Sequence, residues 1–335
     1  MTRRERVLMA ARHEEPDRVP YQIDLTAQAH ARLVEHVGDP GYMDGIGNHL
    51  AYGVYDLFMD ETAPGSGYFR DDFGVIWNRT DPLNDSGVVE GLVLPEASLE
   101  GFALPALDEA RLRRQFEAGL AEAGDRCRVA EVGWGIFERA WALRGMENLL
   151  ADMAAEPAFV EELFARIAGH LARVVEIALE YPFDIIYFGD DWGSQRGLIL
   201  GPHHWRRYLK PHMRDLFGSV KARGRATALH SCGDIRALLP ELAEIGLDIY
   251  QTFQPEVYDL GQTKHELGQT LAFWGGISTQ QLLPYGTPAE VRAEVRRTLE
   301  IMGPGGGYIA GPTHAVPGDV PPENLVALAE ALLEQ

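Results

Sequence analysis

Cysteine is almost missing from this chain, with two in 335 residues, Cys127 and Cys232. Neither has a neighbour at C-x-x-C spacing, so no disulfide framework is expected and a reducing cytoplasm suits the sequence. Positive charge is also short. Thirty basic residues stand against 50 acidic ones, for a net charge of −20, and no stretch gathers the basic ones into a patch. That excludes a phosphate backbone as partner, so no nucleic-acid role is expected. Lysine is rarer still, at Lys210, Lys221 and Lys264, and its scarcity carries no functional reading. Nowhere do about 18 apolar residues run without a charge, which excludes a membrane-spanning helix. The first residues, Met1-Thr-Arg-Arg-Glu-Arg-Val-Leu8, are charged at once and lack the apolar core of a secretory signal. The expectation is a cytoplasmic protein. Glycine and proline are spread along the whole length with no linker-like pool, so residues 1–335 read as one domain.

What is present is a rhythm. Short β-branched or aromatic runs alternate with long amphipathic stretches, the pattern of βα units around a parallel sheet. Strands are expected at Arg18–Asp24, Arg128–Gly133, Asp184–Phe188, Ala226–His230, Asp248–Thr252, Leu271–Trp274 and Gly307–Ala310. Helical patterns lie at 138–154, 157–180, 202–223, 235–245, 287–302 and 321–334. Pro157, Pro202 and Pro322 stand near helix starts, and Gly224 and Gly246 follow helix ends. With an eighth strand in the irregular first third, these make a (β/α)8 TIM barrel; a doubly wound open sheet is the alternative. Residues 68–94 break the rhythm. Asp71–Trp77 and Gly87–Leu94 alternate like two antiparallel strands joined through Pro82, Asn84, Asp85 and Gly87, which reads as an inserted β-hairpin.

In a (β/α)8 barrel the reacting groups stand at the C-terminal ends of the strands. The residues there are polar. One run ends in Gly189-Asp-Asp-Trp-Gly-Ser-Gln195, another in His230-Ser-Cys-Gly-Asp234, and the last leads to His314. Residues of this kind also cap the helices that follow strands. Asp234 reads that way. Asp190, Asp191 and Gln195 are assigned to the chemistry, because the next helix is some ten residues on. Trp192, Gln254, Trp274 and Gly276, at or just past other strand ends, are assigned to substrate binding. His230 and Cys232 point to the same side of an extended strand. Imidazole and thiolate together suit zinc, which needs a third protein ligand; a buried histidine beside a small apolar cysteine is the competing reading. His314 is the natural third ligand, with Glu131, Asp190 or Asp191 as an oxygen ligand, and it reads equally as a hydrogen-bond donor or general acid. Gly303–Gly307 is a turn, since phosphate-binding loops follow a strand instead of preceding one.

The sequence resembles the uroporphyrinogen decarboxylase superfamily in its methyltransferase-like branch. The likeness is carried by Thr2–Pro20, Asp72–Trp77, Phe137–Trp141, Gly189–Gln195, Leu229–Asp234, Phe273–Gly276 and Pro321–Asn324. It implies a (β/α)8 barrel. It also implies one of two chemistries. Porphyrinogen decarboxylases of the family grip substrate carboxylates with arginines near the N-terminus, and the matching stretch here, Pro20–Thr26, has none. Cobalamin-dependent methyltransferases of the family resemble this chain at His230 and Cys232, which fall on their His-x-Cys zinc motif. Their third ligand is a cysteine, and His314 stands in its place here. The resemblance implies that the zinc binds a thiol acceptor as a thiolate, which attacks a methyl group on a corrinoid carried by a separate small protein.

The expected function is zinc-dependent methyl transfer between a corrinoid or methoxylated donor and a thiol. The metal would rest on His230, Cys232 and His314, with a small-molecule substrate and a corrinoid protein as partners. A decarboxylase or related lyase is the alternative, and a non-catalytic binding barrel the second. The sequence is compatible with a homodimer without signalling one.

Overall fold

The structure, a computed structural model, describes residues 1–56, 59–81 and 87–335. Runs too apolar to face water on either side become parallel strands covered on both faces. Seven such strands follow one another around a curled sheet in chain order. They are β1 (Leu50–Tyr55), β2 (Cys127–Val132), β3 (Ile185–Gly189), β4 (Ala226–His230), β5 (Ile249–Thr252), β6 (Ala272–Ile277) and β7 (Tyr308–Pro312). β5 and β6 are buried at every position. The fold is a TIM-type barrel, as the rhythm of the sequence implies, and β1 is the strand concealed in the first third.

The expected strand Arg18–Asp24 is corrected. Residues 20–26 run extended between β7 and β1 but form only isolated bridges, at Tyr21 and Leu25. On one side, Ala310 N–H donates to Pro20 O (2.8 Å) and Gln22 N–H to Ala310 O (2.9 Å). On the other side the ladder is reduced to one backbone bond, His49 N–H to Tyr21 O at 3.1 Å, and side chains supply the rest: Leu50 N–H donates to Gln22 Oε1 at 3.0 Å and Ile23 N–H to Asn48 Oδ1 at 2.9 Å. Pro20 has no N–H to offer, which disfavours a regular central strand here. This segment is the eighth stave.

Period-two alternation decides what fills the barrel. Val129, Ile185, Ala228, Ile249, Ala272 and Ile309 form an inner cluster with Val7, Ala10 and Ala11 of the helix Arg3–Ala11. That helix, started by a Thr2/Glu5 capping box, plugs the N-terminal end of the barrel. Two residues further along the strands stand Glu131, Tyr187, His230, Gln251 and Trp274, so the next layer towards the C-terminal end is polar and aromatic.

Other elements also depart from expectation. The pattern at 138–154 is two helices, Ile136–Arg144 and Met146–Ala155, parted at Gly145. That at 202–223 contains a π-helical turn at Trp205–Leu209, and that at 235–245 shrinks to Leu239–Glu244. The insertion is four short antiparallel strands, Met59–Glu61, Tyr68–Asp71, Ile76–Asn78 and Val88–Val89, instead of one hairpin. The expected strand Asp71–Trp77 turns back on itself because Asp71 Oδ1 accepts from both Phe73 N and Val75 N, each at 2.9 Å. Pro82, Asn84 and Asp85 lie outside the described residues. Among the described residues no helix is long and apolar enough to cross a membrane.

Candidate active site

The polar layer opens into a cavity of about 550 Å³ at the C-terminal end of the barrel. Among the described residues its wall carries five carboxyl groups, Asp24, Asp56, Glu131, Glu138 and Asp191, and no lysine or arginine. Aromatic faces from Tyr52, Tyr55, Trp134, Tyr187 and Trp274 fill the spaces between them.

At one side, the nitrogen and sulfur atoms of His230, Cys232 and His314 lie within 4.8 Å of one another. His230 Nε2 is 3.5 Å from Cys232 Sγ, about the N-to-S separation that a tetrahedral zinc imposes with bonds of roughly 2.0 and 2.3 Å. The tautomer is fixed from behind. Gln251 Nε2 donates to the Thr313 carbonyl at 3.0 Å, which turns its Oε1 towards the ring. That oxygen can only accept, so His230 Nδ1, 2.5 Å away, carries the proton. The Nε2 lone pair is thereby left facing Cys232 and His314, as in metal-binding histidines whose other ring nitrogen is held by a hydrogen-bond acceptor. Tyr187 OH donates to the same Gln251 oxygen at 2.8 Å.

Burial lowers the His230 pKa, so the ring stays neutral and able to donate its lone pair. Burial and the nearby Asp191 carboxylate raise the Cys232 thiol strongly. Without a cation beside it Cys232 is an inert thiol. The donor set and its orientation therefore fit zinc.

Cys232 is placed by a close approach of two loops. Its N–H donates to Asp191 Oδ1 at 2.7 Å, and Asp191 Oδ1 also lies 3.6 Å from His230 Nε2. The two backbones pack so tightly that a Cβ on Gly193 would lie 2.5 Å from Cys232 O, and one on Gly233 would lie 2.5 Å from Gly193 C. Gly233 thus admits the neighbouring loop.

Across the cavity, Asp24 accepts from Gln22 Nε2 at 2.7 Å and from Tyr52 OH at 3.0 Å. Glu131, beside it, has no hydrogen-bond donor among the described residues, and burial followed by repulsion from Asp24 pushes its pKa up to about 7. Burial and Asp191 hold Glu138 well above the usual carboxylate range. Trp134 keeps a left-handed backbone, φ 54°, a strained conformation for an aromatic residue in the cavity wall.

The expected site residues divide. His230, His314, Asp191, Trp274 and Glu131 line the cavity, and Cys232 meets the two histidines at its edge. Asp190 does not: its carboxylate accepts from Phe137 N (3.0 Å) and Glu138 N (2.8 Å), capping the helix Ile136–Arg144. Gln195 lies exposed at the tip of the small ribbon Gly193–Leu198. Trp192 is fully buried against Trp205, ring centroids 5.8 Å apart. Gln254 is buried and accepts from Gly233 N at 2.6 Å, bracing the Cys232 loop. Gly276 faces a separate groove with Glu256 and Ser278. Residues that were not foreseen are Asp24, Tyr52, Glu138, Tyr187 and Gln251. Glu138 sits inside the Phe137–Trp141 motif, and Gln251 and Tyr187 are each two residues beyond an inward-facing apolar position, which is the signal that points to them.

Residues 123–335 match the uroporphyrinogen decarboxylase (URO-D) family. Over 264 residues the chain is 25% identical to a uroporphyrinogen decarboxylase of Pelodictyon phaeoclathratiforme, covering 76% of this chain and 71% of that one. Over 148 residues it is 26% identical to a methylcobamide:CoM methyltransferase of Methanosarcina barkeri, covering 44% of this chain and 41% of that one. The solved structure of a methyltransferase from Methanosarcina mazei shares the fold, with a TM-score of 0.74 at 21% identity over 100% of this chain and 99% of that one.

Proposed function

Because the chain belongs to the uroporphyrinogen decarboxylase (URO-D) family, an enzyme family, we propose that it is a zinc-dependent methyltransferase acting between a corrinoid or methoxylated donor and a thiol acceptor. The observation that carries this is the meeting of His230, Cys232 and His314 within 4.8 Å at the edge of a cavity that, among the described residues, has no lysine or arginine. Zinc bound there would lower the pKa of an acceptor thiol and hold it as a thiolate.

The chain's own residues supply the rest. Gln251 and Tyr187 keep the His230 proton on Nδ1. Asp191 fixes the Cys232 loop through its N–H and offers a carboxylate oxygen beside the metal set, where it can take the proton that the acceptor thiol loses. Trp274 and Tyr187, ring centroids 5.1 Å apart and tilted 39° to each other, form an aromatic wall against which a methyl-bearing substrate can lie. Asp190 acts at one remove: it caps the helix that carries Glu138. A corrinoid protein would present its methyl group at the cavity mouth, near the exposed His314.

Decarboxylation is the second reading, favoured by the name of the Pelodictyon relative. Against it stands the wall itself. Residues 20–26 put Gln22 and Asp24 into the cavity, and a polycarboxylate would face five acidic groups with no compensating cation.

Metal analysis of protein purified without chelator tests the proposal. The expected result is one zinc per chain, lost in Cys232→Ala, with thiol-dependent loss of the methylcobalamin absorbance in the wild type alone. Metal-free protein that decarboxylates uroporphyrinogen at full rate would overturn it. Neither metal nor turnover would leave the binding-barrel reading.

A further inference from the structure

The far side of the cavity has a chemistry that the metal set does not explain. Asp24 and Glu131 share the cavity wall with the rings of Tyr52, Tyr187, Trp134 and Trp274. Asp24 has two donors, from Gln22 and Tyr52. Glu131 has none among the described residues, and no lysine or arginine lines the space. A carboxylate left without a partner beside a second carboxylate is costly in a folded protein. A positive charge brought from outside would complete the arrangement.

What kind of cation fits is decided by geometry. A metal ion needs donors converging within a few ångströms. Among the described residues the one set of three such donors within 4.8 Å is His230, Cys232 and His314. The carboxylates are spaced around a cavity of about 550 Å³ and interleaved with aromatic rings. A spread charge on an apolar shell is what π-faces and spaced carboxylates hold together. We infer that this half of the cavity binds a small alkylammonium cation, of the quaternary methylammonium class, between Glu131, Asp24 and the aromatic faces of Tyr52, Tyr187 and Trp274.

Burial and Asp24 raise the Glu131 pKa to about 7, and a cation seated beside it would favour the ionised carboxylate and lower that value. The inference rests on the methyl-transfer reading for the metal-held thiolate, and puts a quaternary ammonium in the place where that reading has a corrinoid or methoxylated donor. Transfer to a thiolate balances without further reagents: one C–N bond breaks, one S–C bond forms, and the nitrogen keeps the electron pair and leaves as a neutral tertiary amine.

Binding is measured apart from turnover, so that the two readings fail separately. The full chain as purified is titrated calorimetrically with choline and with its neutral isostere 3,3-dimethyl-1-butanol, which has the same shape without the charge. Choline is expected to bind about tenfold or more tightly than the isostere, a preference set by charge at a partly desolvated site. Glu131→Gln, checked for native circular dichroism, is expected to remove most of that preference. Equal binding of the two probes, no choline binding at millimolar concentration, or tighter binding of succinate than of choline overturns the inference. The wild-type comparison stands even if the variant does not fold. Choline binding without methyl transfer would retain the cation site and discard the reaction.

Discussion

His230 depends on a residue that never touches the metal position. Gln251 holds the ring through its Oε1 and is itself held by the Thr313 carbonyl. Gln251→Leu keeps the bulk but removes the acceptor, so the proton is free to move to Nε2 and the ring to turn. Zinc affinity, read by competition with a chromophoric chelator, is expected to fall by about 10- to 100-fold while the thermal midpoint changes little. Gln251→Glu, which can still accept from Nδ1, should lose less. Glu131 makes a different test, of stability against pH. Its pKa is raised from 4.5 to about 7, so between these values the folded state binds the proton more tightly than the unfolded chain. Stability therefore falls as pH rises through that window. Glu131→Gln removes this penalty, by up to about 3 kcal/mol. Urea unfolding should show the variant gaining on the wild type at pH 8 and not at pH 4.5; an equal difference at both would refute the assignment.

At the scale of elements, the site hangs on three contacts between segments remote in sequence. Asp190, at the end of β3, caps the helix Ile136–Arg144. Asp190→Ala should lower stability by about 1–2 kcal/mol and displace Glu138, whereas Asp190→Asn should cost less. The second contact is the pressed pair Gly193 and Gly233. Gly193→Ala drives a Cβ into Cys232 O and should weaken metal binding more than it lowers the melting temperature. The third pins the inserted sheet. Arg139 is buried, pairs with Asp71 at 2.7 Å, and stacks on Phe73 and Trp134 with its guanidinium carbon 4.1 and 5.5 Å from the ring centroids. Asp71→Asn leaves that guanidinium without its counter-charge and is expected to cost about 3–5 kcal/mol in chemical denaturation, with a blue or red shift of tryptophan emission as Trp134 moves. None of the three was legible in the sequence. Asp190 was taken for a reacting group because the next helix downstream is distant, but the helix it caps lies upstream. Gln254 and Gly276 were misplaced because Phe253 (φ 33°), Gly275 and Gly276 have positive φ, which breaks the alternation that aims strand-end side chains inward.

For the whole molecule, the barrel could be read because its strands obey one rule, an apolar run ended by polar residues. Ala226–His230 was located to the residue for that reason. His230, Cys232 and His314 could be read together because the barrel brings distant strand ends to one rim. What escaped was the closure. The stave at residues 20–26 reads as an ordinary strand, Arg18–Asp24, and nothing in its pattern signals that Gln22 and Asn48 side chains stitch one of its edges, while β1 hides among short helices and the insertion. Hydrogen–deuterium exchange should find that seam. Amides of residues 20–26 are expected to exchange faster than those of β3 and β4, which share a full ladder from Ala226/Ile185 to His230/Gly189. Uniform protection around the barrel would contradict this.

A barrel laddered on every side has no preferred place to come apart, and this one has. The stitched stave carries Asp24 on its inner surface, so the least tightly bound edge of the sheet is also part of the binding wall. A ligand seated on Asp24 would act as a clasp across the seam. Its arrival should then register far from the cavity, as slower amide exchange at the N-terminal residues that follow the plugging helix.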